Sequence, residues 1–272
     1  MFKPQTFSNA EHGFIYFNDN TLYGFGDNSY GQLGLGHNNT IDEPEIIMKD
    51  KDIVKIICSN SNTLILKSDG SIYISGICVG LKDKYHIFNF TLVYQDENIK
   101  DVVFNRYNIC LLMINNTLKI IRKDKIVDLP FENIQNIFII NYNYHEYLYL
   151  YMYNDEIHNL LLANNTLSKA EYFKTIPNLK DIFYINYKLC VITNKAVELH
   201  TGNNVEIKYN GDIDQVFAND KKIILRKDSD IHEIYIDELP NFINVIQKLV
   251  SVQNEKLINV DKMTYYMFAN AL

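Results

Sequence analysis

Five of the chain's eleven glycines fall at Gly24, Gly26, Gly31, Gly34 and Gly36, in "LYGFGDNSYGQLGLGHNN" (22–39). Glycine this dense, beside polar Asn28 and Gln32, is the composition with which bare backbone amides cradle a phosphate. The spacing does not fit that chemistry. A GxxxxGK[ST] loop needs a lysine after its last glycine, and none follows Gly31, Gly34 or Gly36. A dinucleotide turn needs GxGxxG opening a helix. After Gly24-Phe25-Gly26 the third glycine position holds Ser29, and the chain runs on into His37-Asn38-Asn39-Thr40 rather than an amphipathic helix. A structural corner is the better reading: glycines supply positive φ where the chain doubles back, and amide side chains satisfy backbone groups left over there.

The other reactive residue types are scattered. Seven histidines stand at His12, His37, His86, His145, His158, His200 and His232, with no HxH or HExxH among them. No metal site, no GxSxG elbow and no catalytic constellation is expected. Carboxylate pairs such as Asp42-Glu43 and Asp155-Glu156 read as solvated turn or connector residues. Cys58, Cys78, Cys110 and Cys190 form no CxxC pair, and Cys110 and Cys190 sit in apolar strand-like runs, so buried free thiols are expected. The chain reads as a non-enzyme that needs no cofactor.

What would position a glycine corner is a repeated strand unit. "GFIYFNDNTLYGFG" (13–26) and "TLILKSDGSIYISG" (63–76) match at an offset of about 50 residues: apolar strand, polar turn, apolar strand, glycine. The pattern returns around Asn115-Asn116, Asn154-Asp155, Asn194-Lys195 and Asp228-Ser229, and again at Asn254-Glu255, with the spacing shrinking to about 40. Asn, Asp and Gly tolerate positive φ, so each is a hairpin turn. A leading apolar strand precedes most units: "IVKIICS" (53–59), "IKDVVFN" (99–105), "IQNIFII" (134–140), "LKDIFYI" (179–185) and "IDQVFAN" (213–219). All five prolines are expected in connectors, because proline cannot donate to a ladder. Residues 242–257 also carry a helical stripe, but the repeat alignment makes them strands. The residues before Phe14 are too few for a full leading strand pair.

Repeats of 40–50 residues with three or four strands each predict an all-β, seven-bladed β-propeller, with six blades and an irregular end as the alternative. A single domain over residues 1–272 is expected, its ring closed by the strand near 262–272. The sequence "GDNSYGQLGLG" (26–36) followed by Pro44 resembles the signature of the RCC1 (regulator of chromosome condensation) repeat, G-x-N-x-x-G-Q-L-G-x-G and then proline. Gly26, Asn28, Gly31, Gln32, Leu33, Gly34 and Gly36 match it, and "DGSIYISG" (69–76) resembles the family's D-G-x-V-Y-x-W-G without its tryptophan. The first two units carry nearly all of the likeness; later ones keep only the strand rhythm. The resemblance implies an RCC1-like propeller and makes Gly26, Asn28, Gly31, Gln32, Gly34 and Gly36 a structural blade corner.

RCC1-like proteins include guanine-nucleotide exchange factors for a Ran-like small GTPase, binders of histones and DNA, and platforms for other proteins, among them some of intracellular pathogens and large DNA viruses. Here 33 acidic residues against 26 basic ones leave a net charge of −7, which argues against a broad nucleic-acid footprint and fits a basic partner better. The leading expectation is a protein-interaction platform; exchange factor is the alternative, and a chromatin-binding or virion structural role the third. Contact is expected on the variable loop 80–98, at Lys82, Lys84, Tyr85 and His86. A second surface lies in "FIINYNYHEYLYLYMY" (138–153), where Tyr142 and Tyr144 lead into alternating tyrosines that either form an exposed ladder or pack between blades. The amino terminus has no signal-like apolar core and no 18-residue apolar run occurs, so an intracellular monomer, in cytoplasm, nucleus or virion, away from membranes, is expected. Abundant Ile, Asn, Lys and Tyr fit AT-rich coding, as in some giant viruses.

Overall fold

The structure, a computed structural model, describes residues 5–8, 11–59, 61–78, 86–105, 107–122, 125–142, 145–162, 171–185, 188–201, 204–213, 215–218, 222–227 and 230–235. They form six antiparallel sheets. The first holds β1 (Gln5–Ser8), β2 (His12–Tyr16), β3 (Thr21–Gly26) and β4 (Ile41–Lys49). The second holds β5 (Ile53–Ser59), β6 (Asn62–Lys67), β7 (Ser71–Ile77) and β8 (His86–Gln95). The third holds β9 (Ile99–Phe104), β10 (Ile109–Met113), β11 (Leu118–Arg122) and β12 (Lys125–Leu129). The fourth comprises β13 (Ile134–Tyr142), β14 (His145–Met152), β15 (Glu156–Leu161) and β16 (Glu171–Thr175). The fifth comprises β17 (Leu179–Ile185), β18 (Lys188–Thr193), β19 (Ala196–Thr201) and β20 (Asn204–Asn210). Three strands make the sixth: β21 (Gln215–Ala218), β22 (Lys222–Lys227) and β23 (Asp230–Tyr235).

In every sheet the strands lie in chain order, and the first strands touch one another from sheet to sheet: β1 on β5, β5 on β9, β9 on β13, β13 on β17. First strands inside and last strands outside is the arrangement of propeller blades. The described residues thus give five four-stranded blades and one three-stranded sheet; the expected seventh unit and the closing strand, within residues 236–272, lie outside them.

The core lies between blades, and the second strand of each blade explains why. Side chains alternate across a strand, so a blade with neighbours on both sides needs apolar residues at every position. In β10 all five residues are buried: Leu111 and Met113 pack towards blade two, Cys110 and Leu112 towards blade four. In β14, Leu148 and Leu150 face blade three while Tyr149 and Tyr151 face blade five. The tyrosines of β14 are therefore packed between blades rather than forming an exposed ladder; Tyr149 and Tyr151 are 3% and 2% exposed, and among the described tyrosines of the run Tyr153, at the turn, is open at 58%.

The hairpin turns repeat to the atom. In four blades an i to i+3 turn ends on a positive-φ residue: Asn20, Gly70, Asn116 and Asp155. This is a type I turn with a G1 bulge. The residue before it accepts the amide two positions ahead through its side chain: Asp19 from Thr21, Asp69 from Ser71, Asn115 from Thr117, Asn154 from Glu156. Connector carbonyls tie down three of these turns: Asp52 accepts the amide of Ser68 and Asn98 that of Ile114, both at 2.8 Å, and Asn133 that of Tyr153 at 3.1 Å.

Three expectations need correction. Gln5–Ser8 does supply a leading strand, because an innermost strand of four residues suffices to pair with β2. Pro44 lies inside β4 rather than in a connector; as an outermost strand, β4 has a free edge where a missing donor costs little. Residues 86–95 of the presumed loop are β8, an outer strand. Pro130 and Pro177 do lie in connectors, while Pro4 and Pro240 lie outside the described residues.

Candidate functional site: the corner between the first two blades

After β3 the chain turns through residues 27–36 and lies down on blade two. Asn28 and Gln32, both fully buried, hold the turn from inside. Asn28 Oδ1 accepts the Leu33 amide at 2.9 Å and its Nδ2 donates to the His37 carbonyl at 2.9 Å. Gln32 Oε1 accepts the Tyr30 amide at 3.0 Å, and its Nε2 donates to Asp27 Oδ2 at 2.8 Å. Asp27 also accepts the Ser29 amide and hydroxyl, and these donors hold its carboxyl below the usual range against the opposing pull of burial. The amide side chains thus serve the corner's own backbone.

The clasp to blade two is specific. Ser75 Oγ donates to the Gln32 carbonyl at 2.8 Å, the Gly36 amide donates to the Phe88 carbonyl at 2.8 Å, and Leu35 bridges to Asn89. His12 Nε2 meets Thr63 Oγ1 at 2.8 Å across the blade boundary. Leu33, with no exposed surface, packs with Phe14, Leu22, Ile41, Ile53 and Ile65 between the blades, and Leu35 flanks it. Gly31 shows why no other residue serves: its φ is +81°, and a Cβ there would lie 2.5 Å from the Phe88 ring and 2.9 Å from Phe88 Cα. The space where an anion would rest against Gly31 and Gly34 is filled by Phe88 and Phe90.

On the outside of this clasp three aromatic rings stack. Tyr30 and His86 have ring centroids 5.8 Å apart at 15°, and His86 and Phe88 6.1 Å apart at 13°. Tyr30 is 39% exposed and Phe88 37%, and His86 is exposed between them. Tyr30 comes from blade one, His86 and Phe88 from β8. The structure therefore brings His86 against the glycine corner. Lys82, Lys84, Tyr85 and Tyr144 lie outside the described residues. Tyr142 ends β13, two blades round from β8, which His86 begins. Sequence reading missed Tyr30 and Phe88. Tyr30 sits in a variable position of the glycine signature, and Phe88 meets it only through the fold.

The buried groups of the corner are not poised for chemistry. Burial pushes His12 down to about 4, with Asp27 pulling weakly the other way, so the ring is neutral at pH 7. Among the described residues no group of three or more His, Cys, Asp or Glu could hold a metal ion. No helix among them is long and apolar enough to cross a membrane. None of the four cysteines is in a disulfide, and burial raises the thiols of Cys58, Cys78 and Cys190, Cys78 to about 12.

Residues 19–66 match the Regulator of chromosome condensation (RCC1) repeat. The X-linked retinitis pigmentosa GTPase regulator of Homo sapiens is 34% identical over 68 residues, 24% of this chain and 7% of that protein. The Mus musculus protein is 37% identical over the same span. The chain thus matches 7% of the length of these curated relatives. Among solved structures, Prp20p from Saccharomyces cerevisiae, studied for its binding to Gsp1p and histones, superposes with a TM-score of 0.64 at 9% identity, covering 84% of this chain and 70% of its own. Human WBSCR16 superposes at 0.56 with 15% identity, covering 81% of this chain and 71% of its own. At such identities the likeness is one of fold.

Proposed function

We propose that this β-propeller, whose residues 19–66 match the RCC1 repeat, is a non-enzymatic platform that binds a protein through the outer face of the first two blades. The observation that carries this reading is the exposed stack of Tyr30, His86 and Phe88 on an immobilised corner. Large, stiff aromatic side chains lose little entropy on docking and dominate binding energy at interfaces. Here the clasp to blade two fixes them further. Lys82, Lys84 and Tyr85, which precede His86 in the chain, belong to the proposed contact as well, and the net charge of −7 favours a basic partner. Gly26, Asn28, Gly31, Gln32, Gly34 and Gly36 act in this reading as the frame, not as ligand contacts. Cysteines that form no disulfide fit a reducing, intracellular compartment. Residues 236–272 are about one repeat long, which supports a seventh blade and a single ring over 1–272.

The test is affinity capture with the wild-type chain and with Tyr30→Ala/Phe88→Ala. Capture of a protein by the wild type, with affinity falling at least about tenfold in the double variant while the fold is kept, is the expected result. Undiminished capture by the double variant would remove this face from the account. The second reading, nucleotide exchange on a Ran-like GTPase, draws on the GTPase regulator among the relatives and on Prp20p's binding to Gsp1p. Accelerated release of labelled nucleotide from such a GTPase, and capture of it only when nucleotide-free, would favour exchange over the platform.

A further inference from the structure

A cavity of about 570 Å³ runs between the innermost strands β5, β9, β13 and β17. Each of these strands bulges at its second residue, so that Val54, Lys100, Gln135 and Lys180 drop out of the ladder. The third residues, Lys55, Asp101, Asn136 and Asp181, line the cavity. Three of them accept the amide of the next residue: Asp101 from Val102 at 2.8 Å, Asn136 from Ile137 at 2.9 Å, Asp181 from Ile182 at 2.8 Å. One polar side chain per blade at one register makes a polar girdle. Two residues further along the same strands, Ile57, Val103, Phe138 and Phe183 also line the cavity and give it an apolar section.

The girdle is not charge-balanced at Asp181. Lys55 Nζ is committed to Asp101 Oδ1 at 2.6 Å and to the Val102 carbonyl at 3.0 Å. Lys180 donates to the carbonyl of Ile213. From behind, β18 presents the neutral thiol of Cys190, raised by burial and by Asp181 itself. Burial pushes the Asp181 carboxyl up to about 6, and Lys55 opposes this only weakly. A half-buried carboxylate is thus held ionised at pH 7 on the cavity wall, with the hydrogen bonds of Lys55 and Lys180 directed to other groups.

We propose that this cavity binds an organic ammonium ion with an alkyl chain, the ammonium on the Asp181 carboxylate and the chain along Ile57, Val103, Phe138 and Phe183. The volume lies in the range of small-molecule sites, and an apolar wall with one placed charge is their usual lining. A bare divalent ion fits less well, because the second carboxylate is taken up by Lys55 and the next layer is hydrocarbon.

Titration calorimetry of the whole chain with n-hexylammonium at pH 7.5 tests this, with n-hexanol as neutral counterpart. Saturable binding of one hexylammonium per chain is expected, with hexanol weaker. Asp181→Asn, which can still accept the Ile182 amide, is expected to bind at least about tenfold more weakly. Asp128→Asn, exposed on β12, is expected to bind as the wild type does. The wild type itself is expected to weaken about tenfold at pH 5, where roughly one Asp181 in eleven stays ionised; that arm needs no variant to fold. Equal affinity of Asp181→Asn and wild type, equal binding of hexanol, a pH-independent affinity, or several weak amines per chain drawn by the net charge would each overturn the proposal.

Discussion

At the scale of single residues, the corner is a place where polar groups were buried for geometry. His12 is the clearest case. It is fully buried, bonded to Thr63 across the blade boundary, and pushed down to about 4 by burial. In the unfolded chain the imidazole titrates near 6.5, so below that pH the unfolded state takes up the proton first. Stability from this group is intact above pH 6.5, falls as pH drops from about 6.5 to about 4, and then levels off, a total loss of about 3 kcal/mol. Denaturant titrations at pH 7 and pH 5 should show about 2 kcal/mol of this loss in the wild type and much less in His12→Gln. Identical losses in the two proteins would show that His12 is not the titrating group. Asn28 and Gln32 could be picked out from the sequence because the glycine signature surrounds them. The corner's partners on blade two, Thr63 for His12, Ser75 for Gln32 and Phe88 for Gly36, could not, since each contact crosses from one repeat to the next and leaves no local pattern.

At the scale of elements, what the sequence revealed and what it concealed follow from burial. Turns were legible because positive φ restricts the choice to Asn, Asp and Gly, and Asn20, Gly70, Asn116 and Asp155 occupy the same slot in successive blades. Second and third strands were legible because their apolar content is forced from both sides. Outermost strands were not: in β12, Lys125, Ile126, Val127 and Asp128 are all exposed, so no buried face imposes alternation, and β8 looked like a loop. The turn slot gives an element-scale prediction. At Gly70 φ is +76°, and a Cβ would lie 2.0 Å from the Asp96 carbonyl oxygen, a backbone atom that cannot swing aside. Gly70→Ala therefore costs the left-handed penalty of about 1–2 kcal/mol and displaces the connector as well, so a loss above about 2 kcal/mol is expected in denaturant unfolding. A change below about 0.5 kcal/mol, the range of ordinary surface substitutions, would contradict this geometry.

At the scale of the whole molecule, the described blades are joined by a chain of apolar clusters, each lying between consecutive sheets. The first junction adds the glycine clasp. The later ones have lost those glycines and rest on strand faces such as Leu112 and Leu118 of blade three against Leu148 and Leu150 of blade four. No blade buries either face by itself, so neighbours share their stability as stacked repeats do. Leu150 has no exposed surface at the junction of blades three and four, and Leu150→Ala should cost about 2–5 kcal/mol. The cost should also spread. Hydrogen exchange should accelerate at the amides of β10 and β14 together, because opening one face of the junction uncovers the other. The Gly36 amide, held by the Phe88 carbonyl two junctions away, should keep its protection under conditions where global unfolding is negligible. Faster exchange confined to β14, with β10 unaffected, would mean that the blades are stable singly and that the packing between them does not unite the ring.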